Sequence, residues 1–284
     1  MQSNTKPHEL FDETLDINAT ENYELAIQAG ADGFSFCILD TLRSKMVMLR
    51  SFEPDESRYF NAGNIREYIM KDDFLTRHYK KIRLITPSPK TTLVPAELYD
   101  PGKKDEYFRF NYRQDADEII LSNKLANPDV FIVFAINKHL ADVLNEFYTA
   151  IHPCVHLTPL FSNLSKHQKE PGRCYLHVHI EKDFFNLIQY TGGDLKLCNT
   201  FRYRNISDIL YYTMNVFNRS GLDQEDTIHL SGQTEKFDEL YSSFAMYVRK
   251  IQFSNPSGNF TFSYVFNDIE LHRFINLFSI FNCA

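Results

Sequence analysis

The sequence contains no tryptophan, no Cys-x-x-Cys pair and no long apolar run, and each absence removes a class of protein. The longest apolar stretch, Val130 to Ile136, falls far short of the roughly 18 residues a helix needs to cross a bilayer. Met1 to Asn22 carries Glu9, Asp12, Glu13 and Asp16 with no apolar run behind basic residues, so it does not read as a secretory signal. Cys37, Cys154, Cys174, Cys198 and Cys283 are odd in number and widely spaced, which argues against a disulfide framework or a zinc ribbon and predicts reduced, buried thiols. Positive charge is also in deficit. Lys+Arg 30 against Asp+Glu 37 gives a formal net charge of -7, which leaves no field to neutralise phosphates and argues against a nucleic-acid partner. These absences together predict a soluble protein of the cytoplasm.

What is present is a globular composition, 43% hydrophobic and 24% charged, over 284 residues. That length exceeds the roughly 100 to 200 residues of an average domain, so two domains or one duplicated fold are expected. Phe 25 and Tyr 16 predict a core filled largely by flat rings.

Two segments share one pattern. From Tyr23 to Glu53, apolar Leu25 and Ile27 lead into a turn at Gly30 to Gly33, then alternating Phe34, Phe36 and Ile38, a polar turn, and Met46 to Leu49. From Cys174 to Tyr203, Leu176, Val178 and Ile180 lead into a turn at Glu181 to Asp183, then Phe185 and Leu187, a turn at Gly192-Gly193-Asp194, and Leu195, Leu197 and Phe201. Period-two alternation broken by turn residues predicts a three-stranded meander, twice. Amphipathic helices follow at Ile206 to Phe217 and Phe237 to Val248, with a short strand, Thr227 to Gly232, between them. In the first half a helix starts at Ile65 to Ile69, a strand is marked by Ile82 and Leu84, and strand Val130 to Ile136 precedes a helix at Leu140 to Tyr148. Asn267 with Glu270 reads as the cap of a last helix, and polar Ser165 to Arg173 as the break between halves.

A duplicated unit of meander, helix, strand and helix resembles the actin-like ATPase fold, an α/β architecture of two ribonuclease-H-like domains facing each other across a nucleotide cleft. The chain resembles an uncharacterised bacterial family of unknown function with that fold, and more distantly the pilus-assembly protein PilM. The resemblance covers nearly the whole chain and implies a first domain over residues 1–170, with an insertion near 87–117, and a second over 171–284. It also implies where a nucleotide's phosphates would sit. The first phosphate loop, an apolar residue, Asp, any residue and Gly, corresponds to Ile27-Gln28-Ala29-Gly30, where Gly30 is kept and Gln28 replaces the metal-organising carboxylate. The second corresponds to Val178-His179-Ile180-Glu181, where His179 and Glu181 replace both key residues. A side chain and a negative charge then stand where backbone N–H groups would approach a phosphate. The adenosine-side Gly-Gly corresponds to Gly232-Gln233, with Thr234 a candidate cap for the next helix.

Other constellations carry less. His177 and His179 share one face of a strand, and His152, Cys154 and His156 stand at period two, yet a metal there needs a ligand from elsewhere. Cys174 has no orienting group for a nucleophilic role. Tyr99 to Asp117 mixes charge and aromatics, and reads as a solvated insertion whose Phe108 and Phe110 pin it to the body. The residues therefore predict a non-catalytic actin-like protein with no cofactor, whose partner is another protein met through the insertion (Tyr107, Phe108, Arg109) and the loop Glu53 to Gly63. The alternative is a weak ATP binder or ATPase in which Gln28, Gly30 and Gly232 line the cleft.

Overall fold

The computed structural model describes residues 8–30, 33–52, 61–149, 151–165 and 174–283. The tip of the first expected hairpin (31–32), most of the loop Glu53 to Gly63 (53–60) and most of the break Ser165 to Arg173 (166–173) lie outside the described residues. The chain divides into two compact units, Met1–Ser162 with Ser257–Ile269 and Asn276–Ala284, and Asn163–Pro256 with Glu270–Ile275.

In the first unit, β1 (His8–Phe11), β2 (Tyr23–Gly30), β3 (Gly33–Asp40), β4 (Lys45–Phe52), α1 (Ala62–Lys71) and β5 (Lys81–Thr86) come first. Then follow β6 (Thr91–Pro95), α2 (Lys104–Asn111), β7 (Glu118–Leu125), β8 (Val130–Asn137), α3 (Lys138–Phe147), β9 (Cys154–Val155) and α4 (Leu157–Leu164). The expected meander is β2-β3-β4, paired antiparallel throughout, and β5 runs parallel to β2. The main sheet has the order β1-β4-β3-β2-β5-β9. Alternation sends Tyr23, Leu25, Ile27 and Ala29 into a core with Ile65 and Ile69 of α1 and Leu144 of α3. Both helices start on an asparagine cap: Asn61 accepts from the N–H of Asn64, and Asn137 from that of Leu140.

Strand Val130 to Ile136 forms, but not in the sheet that holds the meander. As β8 it is the centre of a separate three-stranded sheet of order β6-β8-β7, and the main sheet takes the two-residue β9 instead. Ile132, Val133 and Phe134 are all fully buried, so both faces of β8 are covered. A central strand covered on both faces gives an unbroken apolar run in whichever sheet it lies. The insertion accordingly runs past Asp117 to Asn137, because β7 and β8 pair with each other and β8 with β6.

The second unit contains β10 (Cys174–Ile180), β11 (Phe184–Thr191), β12 (Asp194–Arg202), α5 (Ile206–Arg219), β13 (Thr227–Gly232), α6 (Glu239–Ala245) and β14 (Lys250–Phe253). Its sheet has the order β12-β11-β10-β13-β14, with β13 parallel to β10 and β14 parallel to β13. The β11–β12 turn uses Gly192 and Gly193 at φ 61° and 92°, the left-handed pair a two-residue hairpin requires. Asn205 and Asp208 form a reciprocal capping box on α5. Meander, helix and parallel strand thus occur in both units, as the duplicated ribonuclease-H-like order demands.

Some expected boundaries shift. Asp238, not Thr234, caps α6 by accepting from the N–H of Tyr241, and the Thr234 hydroxyl donates to the Asp238 carboxylate at 2.8 Å. Phe237, read as the first residue of the helical stripe, lies before the helix at φ 71° and is 74% exposed. Asn267 ends a short 3-10 turn, and the last segment begins as another such turn, Leu271–Phe274, before β15's successor helix α7 (Ile275–Ser279), where β15 is Thr261–Phe262. The segments 257–269 and 276–284 belong to the first unit although the expected boundary places them in the second domain. β15 pairs with β4 in parallel, and Ser263 donates a hydrogen bond to the buried carboxylate of Asp12.

Candidate functional site

The residues expected at the first phosphate loop, Gln28 and Gly30, lie at the end of β2. Gln28 is half-buried on the sheet face opposite the core, in register with Ser35 of β3 and Ile85 of β5, and its amide makes no hydrogen bond among the described residues. Gly30 is buried, and a Cβ there would stand 3.1 Å from Cδ of Pro87, a contact tight enough that the proline ring would have to give by a few tenths of an ångström. Thr86, the last residue of β5, is 1% exposed and its hydroxyl has no hydrogen-bond partner among the described residues.

The second position is built differently. Leu176, Val178 and Ile180 of β10 point into the core of the second unit, so alternation sends Tyr175, His177 and His179 to the other face, with Glu181 just beyond the strand. Parallel pairing with β13 sets His179 opposite Ser231 and His177 opposite His229. A continuous hydrogen-bonded chain results. Glu181 Oε1 lies 3.0 Å from His179 Nε2, and His179 Nδ1 lies 2.8 Å from Ser231 Oγ. Ser231 Oγ lies 2.9 Å from His177 Nε2, His177 Nδ1 lies 3.2 Å from Ser254 Oγ, and Ser254 Oγ lies 3.3 Å from the Tyr175 hydroxyl. His177, His179, Glu181, Ser231 and Ser254 are all buried.

With Glu181 ionised and both imidazoles neutral, every bond in this chain takes one direction, because a carboxylate only accepts and a neutral imidazole donates from one nitrogen and accepts at the other. His179 donates from Nε2 to Glu181 and accepts at Nδ1 from Ser231. Ser231 accepts from Nε2 of His177, which accepts at Nδ1 from Ser254, which in turn accepts from Tyr175. Both imidazoles are then neutral Nε2–H tautomers, and each inner member donates once and accepts once along the chain. Burial pushes the Tyr175 phenol up to about 12, partly opposed by its bond to Ser254, so the outer end holds its proton.

Glu181, His179 and Ser231 have the spacing of an acid, base and nucleophile. Ser231 is 0% exposed and shared between two histidines, so no substrate carbonyl reaches its oxygen. The trio ties β10 to β13 rather than presenting an activated hydroxyl. Sequence reading found His177, His179 and Glu181 but missed Ser231, Ser254 and Tyr175. Period two in Thr227-Ile-His-Leu-Ser-Gly232 was the available signal for Ser231; the contribution of Ser254 follows only from β14 placing it beside β13.

Gly232 closes the third element. Its φ is 84°, and the N–H of the next residue, Gln233, donates to the carbonyl of Ile180 at 2.8 Å. A Cβ at position 232 would stand 2.0 Å from that same oxygen, so strand pairing demands this glycine without any ligand. The side chain of Gln233 is exposed.

The remaining candidates separate. His156 is buried and its Nδ1 accepts from the N–H of Ser88 at 3.3 Å, whereas His152 is exposed. The strand there is only Cys154–Val155, too short to hold three residues at period two. Among the described residues no group of three or more His, Cys, Asp or Glu side chains is placed to hold a metal. In the insertion Phe108 is fully buried with Val94, Ile120 and Val133, and Tyr107 donates to the carbonyl of Leu98 at 2.7 Å. Phe110, expected to pin the insertion as Phe108 does, is instead 89% exposed on α2.

Solved structures share this architecture. A Bacteroides thetaiotaomicron protein with an actin-like ATPase fold and unknown function is 23% identical, with a TM-score of 0.77 over 95% of this chain and 99% of that one. The PilM-PilN type IV pilus biogenesis complex is 12% identical, with a TM-score of 0.58 over 92% of this chain and 98% of that one. The fold is therefore actin-like, with duplicated ribonuclease-H-like halves. No curated protein matches the chain. Residues 12–251 match a family model described as a protein of unknown function, DUF3822, and the chain belongs to that family.

Proposed function

We propose that this is a non-catalytic actin-like protein whose phosphate-loop positions have become structural, and that it works as a protein-interaction scaffold. The observation that carries the reading is the hydrogen bond from His179 to Glu181. A buried carboxylate, engaged by an imidazole, occupies the loop position where a glycine would let backbone N–H groups approach a phosphate. A phosphate brought to that side chain meets its negative charge. Of the two glycines that remain, Gly232 is required by strand pairing and Gly30 packs tightly against Pro87, so each has a structural reason that needs no nucleotide.

The contact surface in this reading is the insertion. Its sheet and buried Phe108 give a rigid mount, and α2 with the turn before it presents Phe110 and Leu98, 89% and 70% exposed, beside exposed Arg109. Aromatic and arginine side chains on a rigid support are the types that carry binding energy. The related fold in the PilM-PilN complex has a protein partner, which is compatible with this use of the architecture.

Two measurements test the reading. Titration with millimolar Mg-ATP in a thermal melt is expected to leave the transition unmoved, since any ligand of the folded state raises it by mass action. A saturable rise would instead favour the alternative, a weak ATP binder. Quantitative capture from native extract should lose its specific protein on combining Phe110→Ser with Arg109→Glu; equal capture by both forms would remove the insertion as the contact.

A further inference from the structure

Helix α5 has a face that its own unit leaves open. Ile209 and Phe217 pack into the core, while Leu210, Tyr211, Met214, Asn215 and Asn218, with Tyr247 beyond α6, line a groove of about 460 Å³. Tyr211 is 67% exposed and Tyr247 is 51% exposed. No charged side chain lines this groove, on a chain of net charge -7.

We propose that this face binds a second copy of the chain, α5 against α5, antiparallel across a two-fold axis. A two-fold interface must complement itself, so same-sign charge in its centre is excluded. Tyrosine hydroxyls and asparagine amides both donate and accept, and therefore pair with themselves. Tyr and Met are also types enriched in interface cores, where charge is depleted.

The flanking charges choose the direction. Asp208 and Arg219 are eleven residues apart on α5. That spacing is about three turns and about 16 Å of helix, which puts both on one side at opposite ends. Antiparallel pairing brings Asp208 of each copy to Arg219 of the other, twice; parallel pairing would put the two Asp208 side chains at one end and the two Arg219 side chains at the other, so no opposite charges meet. Arg219 is exposed and makes no ion pair among the described residues. The Asp208 Oδ2 atom accepts from the N–H groups of Arg204 and Asn205, and its Oδ1 accepts no hydrogen bond among the described residues. The midpoint of the pair falls between Thr213 and Met214, placing half-buried Met214 beside its counterpart at the axis.

Sedimentation of the full chain tests this. The wild type is expected to be a dimer at about 100 μM, and Tyr211→Glu or Arg219→Glu to raise the dissociation constant about tenfold or more. Asp208→Lys should do the same by itself, with thermal melts checking that each variant is folded. Mixing Arg219→Glu with Asp208→Lys should restore a heterodimer, because the two-fold then pairs Glu with Lys at one end and Asp with Arg at the other. A folded wild type that stays monomeric, a dimer indifferent to Tyr211→Glu, or a mixture that does not reassociate overturns the proposal.

Discussion

The end of β13 approaches β10 so closely that a Cβ on Gly232 would stand 2.0 Å from the carbonyl oxygen of Ile180. This contact is sufficient by itself to require glycine at the end of the strand. Gly232→Ala has to push the backbone away and adopt an unfavourable φ, and is expected to cost at least about 2 kcal/mol. Urea denaturation measures the loss. A variant as stable as the wild type would reopen a ligand role for the position.

The chain from Glu181 to Tyr175 makes its own prediction. In Glu181→Leu the buried N–H of His179 loses its acceptor, at a cost of about 1–3 kcal/mol, while Glu181→Gln keeps a carbonyl there and loses less. Imidazole ¹⁵N spectra of the wild type at neutral pH should show His177 and His179 as neutral Nε2–H tautomers. An Nδ1–H signal from either residue would contradict the direction assigned to the bonds.

Asp12 supplies a pH dependence. Burial pushes its carboxyl up, but an ion pair with Lys45 at 2.7 Å and hydrogen bonds from Ser263 and Thr14 outweigh it and hold the group well below the usual carboxylate range. The folded value lies below the unfolded one, so the stabilisation is complete above about pH 4–5 and is lost as pH falls through the folded value. Asp12→Asn should therefore be less stable at pH 7 and show a flatter decline in acid. Parallel wild-type and variant curves from pH 7 to 2 would show that Asp12 is not the linked group.

The insertion separates packing from contact at neighbouring positions. Phe108→Ala opens a cavity under α2 and is expected to cost about 3–5 kcal/mol, whereas Phe110→Ser, at an exposed site, should stay within about 0.5 kcal/mol. Denaturant titration of the two single variants distinguishes them. Comparable losses would mean that Phe110 is packed.

The meanders, α5, and the charged or amide side chains at the phosphate-loop positions were legible in the chain, because strand alternation and helix periodicity are local properties. Ile27-Gln28-Ala29-Gly30 and Val178-His179-Ile180-Glu181 display their chemistry by residue type alone. Which sheet a strand joins is not local. β8 satisfies the pattern of any doubly covered strand, and only its pairing with β6 and β7 assigns it to the insertion. Nor did sequence show that 257–269 returns to the first unit, since β15 is two residues long and acquires its place by pairing with β4. The same holds at the site. His177 and His179 were visible as a pair on one face, but parallel register with β13 decided that Ser231 lies between them, and β14 placed Ser254 between His177 and Tyr175. Side-chain identity and period are written along the chain; partners far apart in it are chosen by strand register, which depends on how the whole sheet packs.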